Sequence, residues 1–130
     1  MAFLFLILSF TFYSCDRELQ IDFLIENQSN DTIIVSGSSS KHNYNSPNVN
    51  EFSKIVYPNE QTTFFIAKTI QAFGFSNETG IPHYLDSIMI KSNKKTLTFN
   101  PLDSLFKWRL EEKSDEYYQT ILTVHPNDLE

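Results

Sequence analysis

The chain has one cysteine, three glycines and five prolines in 130 residues, and Met1 to Ser14 carry no charged side chain. A single cysteine cannot build an internal disulfide framework or a multi-cysteine zinc site. Three scattered glycines cannot form a phosphate-cradling loop, and no Gly-x-Ser-x-Gly elbow is present to expose a nucleophilic serine. So little Gly and Pro also excludes collagen-like and linker compositions. Basic residues are outnumbered, 10 Lys+Arg against 16 Asp+Glu, for a formal net charge of -6. The only adjacent basic pair is Lys94-Lys95, which argues against a phosphate-backbone partner and so against nucleic acid. The histidines His42, His83 and His125 have no spacing that sets two on one face, so no metal site is read, and no cofactor is expected.

What the chain does have is apolar and aromatic. Twelve Phe and six Tyr, with many β-branched residues, exceed what a disordered chain carries. The length suits one domain. The opening run "AFLFLIL" and "SFTFY" is too short for a membrane-spanning helix, which needs about 20 residues. It fits the apolar region of a secretory signal, and small Ser14 precedes Cys15 as a signal-cleavage position requires. The alternatives at this stage are a plain secretory signal with an incidental cysteine, and a buried N-terminal strand with a free thiol.

Three segments follow from these boundaries: a signal peptide over 1–14, a polar tether over 15–20, and a β domain over 21–130. In "IDFLIENQSNDTIIVSG", Ile21, Phe23 and Ile25 alternate with Asp22, Leu24 and Glu26; "NQSND" is turn chemistry and "TIIVS" is β-branched, so a hairpin is expected. Ser36–Asn50 is Ser/Asn-rich and reads as a long exposed loop holding Tyr44. "SKIVYPNEQTTFFIAKT" reads as strand, turn at Pro58, strand; "IQAFGFSNETGIPHY" is a second irregular loop. "LDSIMIKSNKKTLTFNP" is the cleanest hairpin, with Ile88 and Ile90 on one face and Leu97 and Phe99 on the return. Leu102, Leu105 and Phe106 suit a short helical turn over Asp103–Trp108, and "YYQTILTVHP" is a last strand. The expected fold is all-β: a small antiparallel β-sandwich, Ig-like, with one short helical turn.

A lone cysteine directly after an apolar run resembles the lipobox of bacterial lipoproteins. That resemblance implies cleavage between Ser14 and Cys15, with diacylglycerol on the Cys15 thiol and acylation of the new amino terminus. Two features depart from the family pattern. The positively charged leader residues are absent, as an upstream start codon would explain, and Phe12 and Tyr13 stand where Leu and a small residue are usual. The whole chain resembles the small lipoproteins of Bacteroidetes through "SC" followed by acidic residues, "IENQSNDTIIV", "YPNEQTTF", a Trp in the final third and the ending "YYQTILTVHPNDLE". This implies a lipid-anchored protein of the outer membrane, periplasmic or surface-exposed, with the membrane as its first partner. The same resemblance makes "DTI", "DSI" and "DSL" candidate O-glycosylation motifs, with acceptors Thr32, Ser87 and Ser104. Asp-Ser/Thr also starts strands and caps helices, which is the structural alternative. The Asn-x-Ser/Thr sequons fall at Asn27, Asn30 and Asn77.

The binding candidates are Tyr44, Trp108, Tyr117 and Tyr118. Exposed aromatic faces stack on sugar rings, whereas a sandwich Trp more often packs between sheets. Of the adjacent tyrosines, strand alternation points one inward and one outward. The expected role is non-catalytic binding of a protein or glycan, or a structural role, at the cell envelope. One alternative is an immunity or inhibitor lipoprotein acting against a toxin. The other is a small glycan-processing enzyme using the acidic pairs Glu111-Glu112 or Asp115-Glu116, which would have to converge across a cleft.

Overall fold

A computed structural model describes residues 18–39, 50–70 and 85–130. Among them are seven strands: β1 (Glu18–Asn27), β2 (Ile33–Ser39), β3 (Asn50–Val56), β4 (Gln61–Ile70), β5 (Ser87–Lys91), β6 (Trp108–Ser114) and β7 (Tyr117–Val124). They form a four-stranded sheet, order β4-β1-β7-β6, and a three-stranded sheet, order β3-β2-β5. The two sheets enclose one apolar core, so the chain is the all-β sandwich its alternation implied.

The alternation is read out directly. Leu19, Ile21, Phe23 and Ile25 of β1 point into the core, as do Ile33 and Val35 of β2 and Ile90 of β5. Phe23 sits at the centre, its ring 6.3 Å from Phe64, 5.7 Å from Phe65 and 6.5 Å from Trp108. Phe64 and Phe65 are neighbours in sequence, and alternation alone would turn one of them outward. A β-bulge prevents this: the register runs from Phe23↔Phe65 to Leu24↔Thr63, so two residues of β4 oppose one of β1. Gly37 of β2 is required by a close approach, because a Cβ there would lie 2.1 Å from the Ser87 carbonyl oxygen.

Several segments depart from the sequence reading. β1 and β2 are not a hairpin, since they belong to opposite sheets and the chain between them turns a corner. Strand β1 begins at Glu18, so the last three residues of the expected tether are already paired, and β2 continues through Ser39 into the stretch read as loop. The helical turn is a single 3-10 turn over Leu105–Lys107, and Trp108 opens a strand that the sequence reading missed. One pair, β1 with β7, is parallel within an otherwise antiparallel sandwich. The intervening chain is long enough to build the whole second sheet, which supplies the crossover a parallel pair needs.

Asn27 ties the corners together. It is fully buried, and its Nδ2 donates to the carbonyls of Asp31 (2.7 Å) and Val56 (3.1 Å). Its Oδ1 accepts from the backbone N–H (3.0 Å) and hydroxyl (2.6 Å) of Ser29. Its carbonyl accepts from Asn59 N–H at 2.7 Å, within a turn where Pro58 is followed by Asn59 at φ 64. Asn tolerates this left-handed conformation better than most residues. Asn27 therefore links the β1–β2 and β3–β4 crossings, and its burial removes it as an exposed sequon.

Candidate functional site

The outward residues of the four-stranded sheet form ordered rows. Register places Lys68, Gln20 and Tyr117 side by side, and Ile66, Asp22, Gln119 and Glu111 in the next row. Asp22 faces outward, yet only 8% of it is exposed, because its neighbours cover it. The Tyr117 hydroxyl donates to Asp22 Oδ2 at 2.6 Å, and Gln20 Nε2 donates to Oδ1 at 2.9 Å. Gln119 Nε2 donates to the Tyr117 hydroxyl at 2.9 Å. The bond to Asp22 holds the Tyr117 phenol above its ordinary pKa, since ionising it would set an anion beside a carboxylate. Tyr117 is thus fixed in position before any ligand arrives.

Beside this network the surface sinks into an open depression of about 440 Å³, lined by Gln20, Lys68, Ser114, Glu116 and Tyr117. That lies within the range of small-ligand sites, roughly 300–1,000 Å³. The lining offers an amide, a hydroxyl, a phenol, an ammonium and a carboxylate. It can hydrogen-bond a polar ligand through both donors and acceptors.

Farther along the same face, Arg109 Nε donates to Glu111 at 2.9 Å and its Nη2 to Glu26 at 3.3 Å, while Lys113 Nζ lies 2.9 Å from Glu111. The Lys113 and Arg109 bonds lower the Glu111 pKa, in that order of weight. Glu111 and Glu112 stand on opposite sides of β6, as register with Gln119 and Tyr118 requires, so this acidic pair does not converge. Among the described residues no group of three or more His, Cys, Asp or Glu is arranged to hold a metal ion.

The sequence candidates are scattered. Trp108 is buried at 8% exposure against Phe23, with Nε1 donating to the Pro101 carbonyl at 2.9 Å; it is a core residue and cannot stack on a ligand. Tyr118 packs partly into the core while Tyr117 faces outward, as alternation implied. Thr32 and Ser87 are exposed, and Ser87 Oγ lies 2.8 Å from Ser38 Oγ. Ser104 is half-buried ahead of the 3-10 turn, with no side-chain cap bond. Ser14, Cys15 and Tyr44, with His42, His83 and Asn77, lie outside the described residues.

Sequence reading missed Asp22 and Gln20, whose role depends on register with a strand 95 residues away. It also missed Phe106, 84% exposed on the 3-10 turn beside Lys107, whose ammonium lies 4.1 Å from the Phe99 ring centroid. Comparison with protein-family models, with curated proteins and with solved structures finds no match to this chain.

Proposed function

We propose that the chain is a lipoprotein of the cell envelope, anchored in the outer membrane through lipid on Cys15, whose sandwich binds a protein or glycan without catalysis. The observation that carries this reading is the charge-free run Met1–Ser14 meeting the only cysteine, with strand β1 starting three residues later at Glu18. Two or three acyl chains hold a protein firmly, each buried methylene adding about 0.8 kcal/mol. Three residues span at most about 10 Å, so the end of the sandwich where β1 starts would stand close to the bilayer. The Tyr117 depression opens at that end, beside Gln20 and Glu116.

The binding part of the reading rests on the fixed Tyr117 phenol and the mixed polar lining beside it, which suit a hydroxyl-rich ligand. The immunity-protein reading asks for a continuous acidic patch, and here Arg109 and Lys113 interrupt the acids of β6. A glycan-processing reading asks for two converging carboxylates, and Glu111 and Glu112 diverge.

The test is metabolic labelling with palmitate in a bacterial host, comparing wild type with Cys15→Ala. Label in the wild-type band, membrane fractionation, and loss of both in the variant are expected. A soluble, unlabelled wild-type protein would refute the anchor.

A further inference from the structure

We propose that the outer face of the three-stranded sheet is a self-association surface that takes a second copy of this chain. The outward residues form a three-by-three grid: Ile55, Ile34 and Lys91 in one row, Ser53, Ser36 and Met89 in the next, Glu51, Ser38 and Ser87 in the last. Three large apolar side chains on it face solvent, with Ile34 at 37%, Ile55 at 53% and Met89 at 58% exposure, and Tyr57 continues the line of Ile55 at 54%. Apart from Glu51 and Lys91, the remaining four positions are serines. Large residues beside small ones on one face give knobs next to holes.

The charges select the occupant. The grid carries one acid, Glu51, and one base, Lys91, at diagonally opposite corners. On a pleated sheet they stand roughly 16 Å apart, from strand spacing and rise. They cannot reach each other, and neither is in an ion pair among the described residues. Consider a two-fold axis lying in the face, perpendicular to the Glu51–Lys91 diagonal. It carries Glu51 of one copy onto Lys91 of the other, and the reverse, in one operation. The same rotation sets Met89 over the Ser36–Ser38 step and Ile34 over Ser53, large on small, and brings Ile55 against its own copy. Strands of the two copies then cross near right angles, one of the two ordinary ways that sheets pack face to face. A self-complementary patch of this kind is what a closed two-fold dimer requires.

The experiment is zero-length carbodiimide coupling of the full chain, in detergent and on the membrane that holds it, with the coupled peptides identified by mass spectrometry. The expected product is a covalent dimer joined between Glu51 and Lys91. Glu51→Lys or Lys91→Glu alone abolishes this link trivially, since two amines or two carboxylates cannot be coupled, so dimerisation is read by sedimentation: each single swap should lower the dimer fraction roughly tenfold by setting like charges together, and the double swap should restore both the link and the dimer fraction. Met89→Asp should lower the dimer fraction as well. All these positions are exposed, so circular dichroism should show each variant folded. The proposal is overturned by the absence of a dimer, by coupling elsewhere in the dimer, by coupling of these residues to another protein, or by single swaps that leave the dimer fraction unchanged.

Discussion

On the outer face of the four-stranded sheet, Tyr117 of β7 bonds to Asp22 of β1, Gln20 and Gln119 bond to them along their own strands, and Arg109 bonds to Glu26 and Glu111. On the outer face of the three-stranded sheet the one side-chain bond among the described residues is Ser38 to Ser87, and Ile34, Ile55 and Met89 face solvent. Both faces come from the same period-two pattern. The polar one satisfies itself because the Asp22 carboxylate of β1 accepts from Gln20 on its own strand and from Tyr117 on the adjacent β7. The apolar one has a single central strand and two edge strands, and its serines are too short to cover the larger residues. Internal satisfaction gives a preorganised surface, and unsatisfied apolar area gives a surface that gains by being covered.

The contrast can be broken from underneath, and that has the largest effect. Gly37→Val drives a side chain into the Ser87 carbonyl, so β5 must move off β2 and the apolar face loses one position, Met89 among them, from each of its rows. A loss of about 3 kcal/mol or more is expected in urea denaturation, at the severe end for one substitution. On the polar face, Asp22→Ala strips an acceptor from Tyr117 and Gln20 and should cost about 1–3 kcal/mol. Arg109→Ala should cost under about 1 kcal/mol, because its partners are solvent-exposed ion pairs. Met89→Ser should be smallest, within about 0.5 kcal/mol for the monomer, because Met89 is 58% exposed.

A pH titration sharpens the same contrast. Tyr117 has its pKa raised above the ordinary 10.0, so its contribution is fully present below that value and is lost as pH rises through the folded-state value. Tyrosinate absorbance should show the Tyr117 phenol ionising late, and Tyr117→Phe should remove that contribution.

How much of this was legible follows the same physics. The core residues of β1, β2, β5 and β7 announce themselves by alternation, and Tyr117 and Tyr118 divide inward and outward as alternation demands. "NQSND" could not reveal that it turns a corner, because a hairpin turn and a corner need the same residues; the difference lies in Asn27 bonding to Val56. Strand β6 was hidden because Trp108 follows Leu105 and Phe106 at helical spacing and its later residues are charged. In the sequence Asp22 is one polar position alternating with the apolar residues of its strand. Only pairing with β7 shows that it is covered and bonded.

Asp22 and Tyr117 act as one preorganised unit on the outer face of the four-stranded sheet. A double-mutant cycle with Asp22→Ala and Tyr117→Phe, followed by urea denaturation, measures it directly. A coupling of about 1 kcal/mol is expected, the scale for bonded neighbours. Additive losses, with a coupling within about 0.3 kcal/mol of zero, would contradict it.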